Sequence, residues 1–103
     1  MYKYSAKLIK VVDGDTVDLL VDLGFHIQTK IRFRLANIDA PERGQLGYTQ
    51  TNSRLAELIS DTEILVESIK TEKYGRWLGV LYVNNININN VLLNENLAKE
   101  YKG

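Results

Sequence analysis

The chain contains no cysteine, a single histidine (His26) and a single proline (Pro41). Without cysteine, neither a disulfide framework nor a thiolate metal site is available. One histidine excludes a multi-histidine zinc centre. Nowhere does an apolar run approach the roughly 18 residues of a membrane span, so no membrane partner is expected. The opening residues MYKYSAKLIK lack the apolar stretch of an export signal and read as a strand. With Met1 as the native start, the expected location is the cytosol; a leader cleaved from a longer precursor would instead mean secretion. An excess of charge is missing too. Thirteen basic residues balance thirteen acidic ones, which leaves no global field to attract nucleic acid.

What remains is a chain of 103 residues, 45% hydrophobic, which suits one domain over 1–103 built on a single core. Apolar residues alternate with polar ones through the first 35 positions, the period of a half-buried strand. Val17, Leu19, Val21 and Leu23 fall on one face, and Ile27, Thr29, Ile31, Phe33 and Leu35 form the matching set. Aligning the two sets predicts a hairpin with its loop at Gly24-Phe25-His26, Val17 opposite Phe33 and Asp15 opposite Leu35. Residues 49–60 predict a short helix with Leu55, Ala56, Leu58 and Ile59 as its apolar stripe. Ile64–Ile69 and Trp77–Val83 predict strands around a loop at KTEKYG. Asn84 and Asn85 predict a turn, Asn89 or Asn90 a helix cap, and Asn96 a left-handed helix end. Three strands, a helix, two strands and a helix predict a mainly β chain with α: a five-stranded barrel of OB type with two helices. A ferredoxin-like sandwich would start its strand–helix alternation after the first strand.

Three stretches bear on chemistry. In VVDGDTV (11–17) two acids and a glycine, poor strand residues, interrupt a valine-rich strand. A tight turn stabilised by Asp side chains explains that pattern, and so does a hard cation that needs oxygen ligands. Asp39 and Glu42 follow the strand that carries Arg34, so three carboxylates (Asp15, Asp39, Glu42) and an arginine are expected at one end of the sheet. The second stretch, KIRFR, alternates Lys30, Arg32 and Arg34, commonly the mark of a solvated strand face. The third, TEKYGRWLG (71–79), offers Lys73, Tyr74 and Arg76 on a glycine-containing turn. Arg34 and Arg76 together could grip a phosphate bidentately.

VVDGDTV, FRLANIDAPE (33–42), EKYGRWLGVLYV (72–83) and NVLLNENLAKEY (90–101) resemble, in order and over nearly the whole chain, the staphylococcal nuclease family. The resemblance implies an OB-type barrel and calcium-dependent hydrolysis of DNA and RNA, single strands preferred, leaving 3′-phosphate ends. It implies that Asp15, Asp39 and the carbonyl of Ala40 bind calcium, with Asp13 as an acid behind them. It implies Glu42 as general base and Arg34 and Arg76 as the transition-state arginines. Lys73 and Tyr74 are expected to contact a terminal phosphate, and Tyr101 or Tyr48 to stack a base. A monomer is expected. The alternative is a catalytically weak module binding nucleic acid or protein on the same barrel. The loop after Glu42 is shorter than the family's and lacks its lysine run; with zero net charge this predicts weak nonspecific binding.

Overall fold

The computed structural model describes residues 2–71 and 76–101. Its elements follow in the order β1 (Tyr2–Asp13), β2 (Thr16–Asp22), β3 (Gln28–Leu35), β4 (Ile38–Asp39), α1 (Tyr48–Ile59), β5 (Ile64–Thr71), β6 (Trp77–Val83), β7 (Ile86–Asn87), α2 (Ile88–Asn94) and β8 (Lys99–Glu100). Antiparallel pairing runs β3-β2-β1-β5-β6-β7, and a parallel pairing of β3 with β6 closes β1, β2, β3, β5 and β6 into a five-stranded barrel. The expected fold class is what forms.

Hydrophobic alternation sets the register. Val17 pairs with Phe33 and Leu19 with Ile31, and their burial places this side of the sheet inside the barrel. The hairpin loop is the expected one: Leu23 N–H donates to the Ile27 carbonyl and Ile27 N–H to that of Gly24, both at 2.9 Å. Gly24, Phe25 and His26 all take positive φ there. Irregularities in β1 between Leu8 and Lys10 and between Val11 and Asp13 bend the strand as β-bulges do, which helps the sheet to curl. Gly79 makes room for closure. A Cβ on it would lie 3.0 Å from Phe33 Cδ1 and 3.1 Å from Val66 Cγ2, so the β3–β6 seam fits around its missing side chain.

Helix α1 covers one end of the barrel with Thr51, Leu55 and Ile59 buried, close to the expected stripe; Ala56 and Leu58 are only partly covered. Two local expectations need correcting. β5 continues through Lys70 to Thr71, which pairs with Trp77, so the loop starts later than KTEKYG implies. Helix α2 is capped by Asn87, whose side chain accepts from Asn90 N–H at 3.0 Å, rather than by Asn89 or Asn90. Asn89 is buried instead: its Oδ1 accepts from Leu81 N–H at 3.2 Å and its Nδ2 donates to the carbonyls of Ala36 (3.0 Å) and Gly79 (3.2 Å). The other turn expectations hold, with positive φ at Asn84, Asn85 and Asn96. Among the described residues no helix is long and apolar enough to cross a membrane.

Candidate active site

The end of the β2–β3 ladder gathers the chemistry. Leu35 N–H donates to the Asp15 carbonyl at 2.7 Å, which sets the start of β2 beside the end of β3 in the expected register. The chain then reverses through Asn37 at φ 68°, and the two-residue strand β4 returns Asp39 and Ala40 to Asp15. The Ala40 N–H donates to Asp15 Oδ2 at 3.0 Å, while the Thr16 hydroxyl donates to Asp15 Oδ1 at 3.1 Å. Both oxygens of Asp15 are thereby oriented, and each keeps a further lone pair.

Arg34 lies on the outer face of β3, since its neighbours Phe33 and Leu35 fill the barrel. Its Nη1 donates to the carbonyls of Leu35 (3.0 Å) and Ile38 (2.8 Å), an anchor that aims the rest of the guanidinium. Nη2 stands 3.6 Å from Asp15 Oδ2 and 3.5 Å from Asp39 Oδ1. Those are ion-pair separations, longer than good hydrogen bonds. The side chains of Arg34 and Asp15 are 12% and 14% exposed, whereas that of Asp39 is 56% exposed. One side of the cluster is therefore fixed against protein and the other is open to a ligand.

Gly14 explains how helix α1 reaches this cluster. A Cβ there would lie 2.5 Å from Thr51 Cγ2 and 2.8 Å from Ala40 Cβ, so only glycine lets helix, turn and β4 meet. The Tyr48 hydroxyl donates to Asp13 Oδ1 at 3.1 Å. Asp13 thus ties the turn to α1 through the Tyr48 hydroxyl. Tyr101 follows β8, which pairs with β4 through Ile38–Glu100 and Asp39–Lys99. Its half-exposed ring lies 5.3 Å from the Arg34 Cζ, within the range of a cation–π contact.

The expected acid cluster is smaller than three carboxylates. Glu42 sits on an exposed turn closed by Gln45 N–H donating to its carbonyl at 2.9 Å, and among the described residues the carboxylates paired with Arg34 are those of Asp15 and Asp39. Among the described residues no three acidic or histidine side chains form a group able to hold a metal ion. Two carboxylates, one backbone segment and solvent are what the site offers, an all-oxygen set that fits calcium or magnesium and no soft metal. Arg76 lies two residues before Leu78, the β6 residue registered on Arg34, and is half-buried. Lys73 and Tyr74 lie outside the described residues. Sequence reading missed two contributors: the Thr16 hydroxyl and the Ala40 N–H. A threonine directly after a candidate ligand is a usable signal for the first; nothing local marks the second.

Lys30 and Arg32 do not join the cluster. Arg32 grips the fully buried carboxylate of Asp18 through Nε (2.8 Å) and Nη2 (3.1 Å), and Lys30 Nζ stands 3.6 Å away. The Arg32 hydrogen bonds hold the Asp18 carboxyl below its ordinary range against the opposing effect of burial, with Arg32, Lys30 and Lys10 adding favourable charge.

Comparison with known proteins identifies the family. Residues 32–103 match the family described as staphylococcal nuclease homologue. The chain is 35% identical to a micrococcal nuclease of Shigella flexneri over 96% of its own length and 59% of the relative's. It is 37% identical to Protein ParB of Escherichia coli over 76% of its length and 41% of that protein. It is 30% identical to an uncharacterized endonuclease of Haemophilus influenzae over 97% of its length and 54% of that protein. The chain thus spans about half the length of these relatives. By the family match and by the first of these identities, it belongs to the staphylococcal nuclease homologue family.

Proposed function

We propose that the chain is a calcium-dependent nuclease that hydrolyses phosphodiesters of DNA and RNA, single strands preferentially, and leaves 3′-phosphate ends. The observation that carries this reading is the Arg34 head. Its Nη1 is anchored on two carbonyls, while Nη2 is aimed at two carboxylates too distant for strong hydrogen bonds. The names of the nuclease and endonuclease relatives point the same way.

In this reading Asp15, Asp39 and the Ala40 carbonyl would hold calcium, which supplies positive charge beside the phosphate. Arg34 and Arg76 present preorganised donors to the phosphoryl oxygens as negative charge builds on them. Glu42, exposed and three residues past Asp39, takes a proton from the attacking water. The water oxygen bonds to phosphorus, the bond to the 5′ oxygen breaks, and that oxygen takes a proton from solvent and leaves as the 5′-hydroxyl, while Glu42 returns its proton to solvent. Lys73 and Tyr74 contact a terminal phosphate, and Tyr101, already against Arg34, offers a face to a base. The domain is proposed to act as a monomer.

The test is incubation with labelled single-stranded DNA and RNA, in calcium or in excess chelator. Cleavage to 3′-phosphate products in calcium alone is expected, with slower turnover in magnesium, whose demand for near-ideal octahedral geometry this loop-built site meets poorly. Full activity in chelator contradicts the cation. Binding without cleavage under any of these conditions makes the domain a binding module.

A further inference from the structure

Beyond the site, the outer face of the β1–β2–β3 sheet carries an ordered set of charges that the proposed cleavage does not use. Pairing fixes it in rows across the three strands. Nearest the site, Asp13 lies opposite Thr16, which lies opposite Arg34; next comes Lys10–Asp18–Arg32, and then Lys7–Leu20–Lys30. The two rows outside the site hold four cations and one carboxylate in a chain whose charges cancel as a whole.

That one carboxylate organises the patch without cancelling it. Asp18 is fully covered, whereas the Lys30 and Arg32 side chains remain 61% and 49% exposed. Arg32 spends Nε and Nη2 on Asp18 and leaves Nη1 for another acceptor. Lys7 and Lys10 are exposed on β1, across β2 from Lys30 and Arg32. Along β3, Arg34, Arg32 and Lys30 repeat every second residue, a pitch of about 6.7 Å, comparable with the phosphate repeat of an extended single strand.

We propose that this face is a backbone track for single-stranded nucleic acid, on which Lys7, Lys10, Lys30 and Arg32 bind successive phosphates of a strand whose scissile phosphate lies at Arg34. The proposal rests on the nuclease reading for its direction, towards Arg34, but the track's affinity does not depend on cleavage. Salt-sensitive contacts from lysine and arginine position a strand without reading its sequence. They also place lysine charge on the barrel wall, whereas the short loop after Glu42 carries Arg43 and no lysine.

The test measures binding of fluorescent oligothymidylates of 2, 4, 8 and 12 nucleotides in chelator, where the nuclease reading predicts no cleavage. The parent, Lys10→Ala/Lys30→Ala and the control Lys3→Ala are compared; Lys3 stands over Tyr82 at 5.1 Å from its ring centroid, away from these rows. All three substituted lysines are exposed, and circular dichroism checks that the variants fold. The parent is expected to tighten several-fold from 2 to 12 nucleotides. The double variant should lose most of that gain, and its slope of log affinity against log salt should fall by about 1.4, two contacts at about 0.7 each; Lys3→Ala should match the parent. Parental affinity that is independent of length overturns the track, as does an unchanged salt slope in the double variant. A chain that binds in this way yet never cleaves keeps the track and loses the nuclease reading.

Discussion

Arg34 is both a ligand-facing group and a structural one. Its Nη1 bonds satisfy the carbonyls of Leu35 and Ile38, and its charge separates Asp15 from Asp39. Arg34→Ala is therefore expected to lower turnover by about 10²-fold or more, as loss of one preorganised donor often does. It should also cost on the order of 1–3 kcal/mol of stability from the groups left unpaired. Urea unfolding beside an activity assay checks both halves. For Arg76→Ala the same turnover loss is expected. Asp15 departs from what crowded acids suggest. Two donors and a cation surround it, so Asp15→Asn should cost the metal-free protein about 1 kcal/mol; simple repulsion would predict a gain. Proximity of acids along the sequence is legible, but the donors that relieve their charge come from Thr16, Ala40 and Arg34 only once β4 has folded back.

The elements show which signals survive reading in one dimension. Register in the β2–β3 hairpin follows from matching apolar sets, because a slip of one residue would turn Val17, Leu19 and Phe33 to solvent. The cap of α2 was ambiguous because NININN offers several equivalent side chains within six residues. Burial decides it: Asn89 serves Leu81, Ala36 and Gly79, which leaves Asn87 at the helix end. Asn89→Ala should thus cost roughly 2–4 kcal/mol by orphaning buried backbone groups, against about 1 kcal/mol for the exposed cap change Asn87→Ala. Chemical denaturation of the two variants separates these values. Tyr101 reaches Arg34 only through the β4–β8 pairing, a contact across most of the chain that no local pattern announces. At Gly14 the sequence suggested a turn; the structure adds that α1 and β4 press against it.

At the scale of the whole molecule, a chain without net charge gathers its ion pairs, among the described residues, in three places: the Asp15–Arg34–Asp39 cluster, the Asp18 network beside it, and Arg54 on α1 with Glu57 and Glu95. Because the folded state holds the Asp18 carboxyl below its ordinary value, the native protein binds fewer protons than the unfolded chain as the acid range is entered. That contribution is complete above the unfolded carboxyl value of about 3.9 and is lost as pH falls through the lower folded value. Urea midpoints between pH 3 and pH 7 should drop at the acid end for the parent. Asp18→Asn should begin lower at pH 7 and lose less on acidification.

The central claim is that Asp15, Asp39 and Arg34 form one site for a cation and a phosphate together. Thermal unfolding with calcium, with a nucleotide 3′,5′-bisphosphate, and with both tests it independently of turnover, since a ligand held only by the folded state raises the midpoint. For the parent, the two ligands together should raise the midpoint by more than the sum of their separate effects, and Asp15→Asn should abolish that excess. Additive shifts in the parent, or the same excess in Asp15→Asn, would contradict the claim.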